Sequence, residues 1–200
     1  GLFAVDLWAK AQNCAVLEPE RIKRVSGALL AGQTVRYWSP WPVAGEPPAG
    51  VKKADPPEAA DFALTLTPQG EALHFVPRIG VLGVGCRRGT TARQLEEAFA
   101  AFCAASGLSP AAVCAAASID LKKDEPGLAA FCKAHGWPIT FYPADELRAV
   151  PGQFTPSAFV ASVTGVDNVC ERSAVKASGG TLLLPKTAGG GVTLALAVRP

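Results

Sequence analysis

At 200 residues and 20.6 kDa the chain is long enough to bury a core, and 49% hydrophobic against 18% charged residues excludes a disordered polymer. A net charge of +2 is too small to predict nucleic-acid or membrane-surface binding, so any basic site must be local. No apolar run reaches the length of a membrane span and no signal-peptide pattern opens the chain; a soluble protein is expected, with neither nucleic acid nor membrane as partner.

The sequence contains no Met and starts at Gly1, which reads as a truncation inside a longer protein. Its six cysteines form no C-x-x-C pair, and a chain of this size needs no staples, so reduced thiols and a cytoplasmic setting are expected. The first predicted helix covers residues 2–12, with Phe3, Leu7 and Trp8 on one face. A second starts at Pro19, carries Ile22, Val25 and Leu29 at helical spacing and ends at Gly32, leaving Arg21, Lys23 and Arg24 on its wet face. Residues 40–57 hold six prolines and read as an extended connector. Two β-like runs, 62–67 and 72–76, flank Pro68, Gln69 and Gly70 and are expected to pair as a hairpin. A boundary falls near Pro77, dividing a partial α/β region with its proline-rich connector (1–77) from a C-terminal α/β domain (78–200). Charge divides the same way, neutral up to Arg78 and +2 beyond it.

Past the boundary, strands and helices alternate. The buried-strand pattern of 79–85 leads through a loop to a helix with Leu95, Ala98, Phe99, Phe102 and Cys103 on one face, ended by Gly107. A strand at 114–120 precedes a helix in which Pro126 occupies the first turn and Gly136 the stop. The run PITFY is a third strand; short helices follow at 145–149, 156–164 (capped by Thr155) and 168–178. TLLLPK and VTLALAV close the chain as a hairpin across Gly189, Gly190 and Gly191. The expectation is a mixed, mainly parallel sheet with helices on both faces, whose ligand site lies beyond the strands' carboxyl ends, in the loops after Gly85, Asp120 and Leu184.

In the first of those loops, Gly85-Cys86-Arg87-Arg88-Gly89-Thr90, approachable backbone N–H groups, a helix N-terminus and two guanidinium groups suit an anion, phosphate or carboxylate. The bland alternative is a surface turn in which Thr90 caps the helix. Arg88 breaks a G-x-G-x-x-G fingerprint, and no Gly-Lys-Ser/Thr makes it a P-loop. The positive setting would depress the Cys86 thiol, which is either a nucleophile or a small packed residue. The segment SIDLKKDEPGL gathers Ser118, Asp120, Lys122 and Glu125 where a strand meets a helix; Asp124 or Glu125 is accounted for as an N-cap, whereas Asp120 and Lys122 are not. Glu171 and Lys186 matter only if the fold brings them to one rim. His74 and His135 stand alone, and no metal site is expected.

GVGCRRGT, SIDLKKDEPGL, GVDNVCE, LLLPK and VTLALA, in this order, resemble the C-terminal domain of the CbiG family, the cobalt-precorrin-5A hydrolases of anaerobic cobalamin biosynthesis. GLFAVDLWAKAQ and PERIKRVSGALLAGQ look like the tail of that family's N-terminal domain running into its middle region. After the Glu of GVDNVCE the family shows small residues; here Arg172 and Ser173 follow. The resemblance implies a cytoplasmic enzyme that opens a δ-lactone on a cobalt-containing macrocycle and releases acetaldehyde to give cobalt-precorrin-5B. Its metal would be carried by the substrate, with no further cofactor, and other enzymes of the pathway would be its partners. Asp120 or Glu171 would then serve as general base, with Lys122 among the catalytic groups. Gly85, Cys86, Arg87, Arg88, Gly89, Thr90, Ser118, Glu125 and Lys186 would hold the substrate. The alternative is a non-catalytic module that binds or chaperones a corrinoid intermediate.

Overall fold

The structure, a computed structural model, describes residues 4–200 and divides the chain into two units: the described residues up to Arg78 with Gly107–Ala112, and Ile79–Ser106 with Val113–Pro200. The first unit contains α1 (Val5–Ala11), β1 (Cys14–Val16), α2 (Ile22–Leu30), β2 (Val35–Trp38), β3 (Val51–Lys53), β4 (Phe62–Leu64) and β5 (Leu73–Pro77). Its sheet has the order β1-β5-β4-β2-β3, with only β1 antiparallel to its neighbour.

Aromatic packing organises this unit. Phe62 and Phe75 are fully buried, and the Trp8 ring lies edge-on to Phe62 at 5.5 Å and tilted against Phe75 at 5.7 Å, with Val25, Val35 and Leu73 filling the remainder. On α1 the buried positions are Val5 and Ala9; Leu7, expected on the inner face, is 64% exposed, and Phe3 lies outside the described residues. The expected hairpin of residues 62–76 does not form, because β4 and β5 run parallel, pairing Phe62 with Leu73 and Leu64 with Phe75. With β4 only three residues long, the connection through Pro68 and Gly70 suffices to carry the chain back to the level at which β4 began. Arg21 and Arg24 are not merely solvated. Arg21 donates to the Gly70 and Ala72 carbonyls (3.1 and 2.7 Å) and Arg24 to Glu71 O (2.6 Å), fastening that connection. Within the proline-rich stretch, β3 pairs in parallel with β2 and buries Val51.

The second unit holds β6 (Gly80–Cys86), α3 (Ala92–Ser106), β7 (Val113–Ile119), α4 (Pro126–His135), β8 (Ile139–Tyr142), α5 (Ala144–Arg148), α6 (Ala158–Thr164), α7 (Val169–Ser178), β9 (Thr181–Gly189) and β10 (Val192–Val198). Its order is β8-β7-β6-β10-β9, parallel from β8 to β6 and antiparallel from β6 to β10 and through the closing hairpin: the mixed sheet expected, with its pairings divided equally between the two senses because the hairpin's β10 inserts beside β6. Helix α7 packs on β6, β7 and β10, and α3 packs on β10 and α4. A Cβ at Gly83 would collide with the Cys170 carbonyl, so bare backbone on β6 is what lets α7 seat so closely.

Local signals explain the helix ends. Thr91 and Gln94 form a reciprocal capping box, Thr91 N–H to Gln94 Oε1 at 2.9 Å and Gln94 N–H to Thr91 Oγ1 at 3.1 Å, so Thr91 rather than Thr90 starts α3. Pro126 opens α4, and Gly136, at φ 69°, ends it in the left-handed conformation. Ser157, not Thr155, caps α6 through a bond from Val160 N–H. Among the described residues no helix is long and apolar enough to cross a membrane.

Candidate functional site: a cationic cavity at the carboxyl edge of the sheet

β6 and β7 are parallel, so their carboxyl ends meet at one edge of the second sheet, and the β9–β10 turn lies beside them because Val192 pairs with Cys86. At this edge opens a cavity of about 490 Å³ walled by Gly85 to Arg88, Ile119 and Lys122, by α6, by Asp167 to Cys170 and by both arms of the hairpin. Its volume lies in the range of small-molecule sites.

Four cationic side chains share the wall: Arg87, Arg88, Lys122 and Lys186. Among the described residues the ion pairs join Glu18 to Arg21 and His74, Arg93 to Glu97, His135 to Glu96, Arg172 to Asp167 and Lys176 to Glu146; none of the four takes part. Asp167 is the single carboxylate on the wall, and it accepts from Arg172 Nε at 3.0 Å. Concentrated positive charge without an internal partner leaves the cavity complementary to an anion.

Arg87 is positioned by the hairpin: its N–H donates to Gly191 O at 3.1 Å and its side-chain stem fills the space that a Cβ at Gly191 would take. Lys186 is positioned by a β-bulge, since Leu184 and Thr187 pair with Leu196 and Leu194, leaving Pro185 and Lys186 to face Ala195. The released Lys186 N–H donates to Glu171 Oε2 at 3.0 Å.

Several candidate residues have other employment. Glu171 is 1% exposed and off the cavity wall; besides Lys186 it accepts from Thr155 N–H at 2.7 Å and from the Asn168 side-chain amide, so it ties three segments together instead of standing free as a base. Asp120 opens a single 3-10 turn (Asp120–Lys122) after β7, and Ile119 and Lys122, not Asp120, reach the cavity. Ser118 is fully buried and donates to Val84 O at 2.6 Å, which binds β7 to β6 and removes it from contact with a ligand. Glu125 precedes α4 without a side-chain cap bond; its carboxylate accepts from Gly89 N–H at 3.0 Å. An amide expected to meet a ligand's anion thus already meets one from the chain. Thr90 is buried and donates to Arg87 O at 2.7 Å, which shapes the loop from within. Burial raises the Cys86 thiol above 9.0, and the opposing charge of Lys122 does not overcome it, so Cys86 is a packed thiol rather than the expected thiolate.

The sequence reading overlooked Phe159, Val160, Val163, Thr164 and Thr193, all on the wall. Asp167 and Asn168 belong to the GVDNVCE segment. Asn168 caps α7 through Glu171 N–H (2.8 Å) and donates to Thr155 O (2.9 Å). Arg172 and Ser173 fit the helix's surroundings: Arg172 lies over the Phe154 ring at 4.7 Å and donates to Val150 O, and the Ser173 hydroxyl donates to Ala117 O.

The first unit has a larger opening, about 880 Å³, lined among others by Arg24, Asp61, Glu71 and His74. Several of its polar groups are engaged: Arg24 with Glu71 O, Asp61 with Arg36 N–H, and His74 with Glu18 and Gln69 O. Among the described residues no cluster of His, Cys, Asp and Glu is arranged to hold a metal ion.

Fold and cavity together define a mixed α/β protein with a cationic, partly apolar cavity at the carboxyl edge of its second sheet. Residues 80–197 match the family described as Cobalamin synthesis G C-terminus, and residues 3–82 match the Cobalamin biosynthesis central region. The chain belongs to the CbiG family of cobalamin biosynthesis. It is 36% identical over 127 residues to the cobalt-precorrin-5A hydrolase of Priestia megaterium, covering 63% of this chain and 34% of that one, and 37% identical over 124 residues to the Salmonella typhimurium enzyme, covering 62% and 35%. The matched part is thus about a third of the length of these relatives. Protein CobE of Sinorhizobium is 32% identical over 58% of this chain and 78% of its own. A crystal structure of CobE, a protein from the cobalamin biosynthetic pathway, superposes with a TM-score of 0.56 at 32% identity over 62% of this chain and 93% of that one. A cobalamin biosynthesis protein G homologue from Sulfolobus solfataricus shares the fold over 98% of this chain and 60% of its own, with a TM-score of 0.52 at 17% identity.

Proposed function

We propose that the chain is the substrate-holding part of a cytoplasmic cobalt-precorrin-5A hydrolase, with its cavity at the second sheet's carboxyl edge receiving the carboxylates on the macrocycle's periphery. The reading is carried by the unpaired quartet Arg87, Arg88, Lys122 and Lys186 on one cavity wall. A tetrapyrrole bearing acetate and propionate groups offers several anions to such a wall, and forked guanidinium donors match carboxylates in geometry as well as charge. Cobalt arrives with the substrate. In the hydrolytic step, water adds to the lactone carbonyl and the acyl–oxygen bond breaks, leaving a carboxylate and a hydroxyl on the methylated bridging carbon. That hydroxyl then gives up its proton and becomes the aldehyde oxygen as the carbon's bond to the ring breaks, the electron pair staying on the macrocycle, which takes up a proton, and acetaldehyde departs. Lys122 or Lys186 would stabilise the charge that develops on the carbonyl oxygen.

A specific observation supports a second reading, a module that binds or chaperones the corrinoid intermediate without turning it over. The wall offers no carboxylate free of a partner to activate water, since Asp167 is paired with Arg172 and Glu171 lies off the wall with its oxygens bonded to amides. The likeness to CobE, a protein of the cobalamin biosynthetic pathway matched over most of its length, shows that a protein of little more than this matched part occurs by itself.

One experiment separates the two: anaerobic titration of the chain with cobalt-precorrin-5A, following corrinoid absorbance for binding and acetaldehyde for turnover. Binding with acetaldehyde release supports the hydrolase, and binding alone supports the module. Absence of both overturns the assignment of this cavity to the substrate.

A further inference from the structure

The cavity wall has a second character that the cations do not explain. Phe159 and Val163 stand four residues apart on α6, so they share one face of that helix, and both line the cavity. They are 72% and 63% exposed, although each carries an apolar side chain large enough to anchor a core. Val160 and Thr164, also on the wall, are half-buried, and Val160 packs against the small cluster of Ile119, Leu147, Val166 and Val169. The helix is therefore held from behind by its half-buried residues while two of its largest apolar groups face solvent. Isolated exposed hydrophobic residues are ordinary, but here two occur together in a concave site whose remaining wall is cationic.

We infer that the exposed face of α6, Phe159 and Val163, is the apolar contact surface for the flat ring system of a polycarboxylate, so that ring size and not charge alone selects the ligand. This rests on the proposed reading of the cavity as the site of a carboxylate-bearing macrocycle and adds which residues recognise the ring. Complementarity supports it: Arg87, Arg88, Lys122 and Lys186 account for peripheral anions but leave an extended apolar ring without a partner, and Phe159 and Val163 are apolar groups without a partner in the same cavity. Offset stacking on Phe159 and van der Waals contact with Val163 would remove both from water when the ligand enters.

The test uses two probes: uroporphyrin, a tetrapyrrole with acetate and propionate groups around its rim, and citrate, which has carboxylates but no ring. Affinities of both are measured for the full chain and for Phe159→Ser, Val163→Ser and Arg88→Ala, with melting curves to show that each variant is folded. Because both α6 side chains are exposed, their replacement should leave the melting temperature unchanged. The expected result is that Phe159→Ser and Val163→Ser together weaken uroporphyrin roughly tenfold or more and leave citrate unchanged, while Arg88→Ala weakens both. If the parent chain binds uroporphyrin and the α6 variants bind it equally well, the inference fails while the cationic reading stands. Failure of the parent chain to bind either probe removes the cationic reading and the inference with it. Sedimentation of the parent chain as a dimer that the α6 variants abolish would mean that a second copy covers this face, which also overturns the inference.

Discussion

In the first unit Arg21 and Arg24 turn back onto the backbone carbonyls of residues 70–72 and Glu18 lies 2.8 Å from His74, whereas in the second unit Arg87, Arg88, Lys122 and Lys186 converge on a cavity without an ion-pair partner among the described residues. The same residue types serve opposite ends. Where the core is a cluster of aromatic rings packed mostly edge-on and tilted, charge fastens an irregular connection onto the sheet. Where a sheet edge gathers several strand ends, like charges are held together against their mutual repulsion, and an arriving polyanion would relieve that repulsion. Glu171 is the second unit's counterpart to the fastening residues of the first, because it serves donors from three separate segments.

Removing that fastening should have the largest effect. Glu171→Ala leaves the Thr155 and Lys186 amides and the Asn168 side chain without their acceptor, and hydrogen bonds to a charged group are each worth more than neutral ones. Relief of the buried carboxylate's desolvation offsets part of the loss. The expected net destabilisation is about 3 kcal/mol, read as a lower urea midpoint at unchanged slope. A midpoint within error of the parent would show that these bonds do not hold the cavity's margin.

Alkaline pH should separate the two units more gently. Burial pushes the thiols of Cys14, Cys103, Cys132 and Cys170 from 9.0 up to about 11. An unfolded chain sheds these protons near pH 9 while the folded chain keeps them, so in that window the folded state binds more protons. Stability is complete below pH 9 and falls as pH rises towards 11. Three of these thiols lie in the second unit and one in the first, so subtilisin digestion along this pH range should release peptides of the second unit first. Release in the opposite order would refute the ranking.

Much of the second unit could be read directly from the chain because its signals are local: Pro126 and Gly136 bound α4, the glycine-rich turn closes the hairpin, and a seven-residue run of small and apolar residues becomes β6. The parallel pairing of β4 with β5 could not, since the same Pro and Gly that suggest a hairpin also serve a looser return, and only contacts distant in sequence decide between them. At the site, Arg87, Arg88 and Lys122 announced themselves as charge beside a strand end, whereas Lys186 lies within β9, where the strand expected to end near Leu184 runs on through a bulge. Glu171 misled because charge is visible in sequence and burial is not. Phe159 and Val163 were missed for the converse reason: apolar residues at helical spacing read as core, and nothing local says that this face has no neighbour.

The smallest effect is the most direct test of the contrast between the units. Arg21→Ala removes two bonds onto the 70–72 connection and a 3.7 Å ion pair with Glu18, and should cost about 1 kcal/mol, because the carbonyls that Arg21 serves lose a charged donor but remain near water and a partly exposed ion pair is worth little. Arg88→Ala removes an exposed side chain with no ion-pair partner from a crowded positive wall and should change stability by less than about 0.5 kcal/mol, with relief of repulsion opposing any loss of packing. Urea midpoints of the two variants, taken at low and at high salt, check this. Salt screens the repulsion, so any gain from Arg88→Ala should shrink as salt rises, while most of the cost of Arg21→Ala, which comes from short hydrogen bonds with a minor share from the Glu18 pair, should persist. Equal and salt-independent changes in both would mean that Arg88 is fastened to the fold as Arg21 is, and that the cavity's charge is structural rather than held in reserve for a ligand.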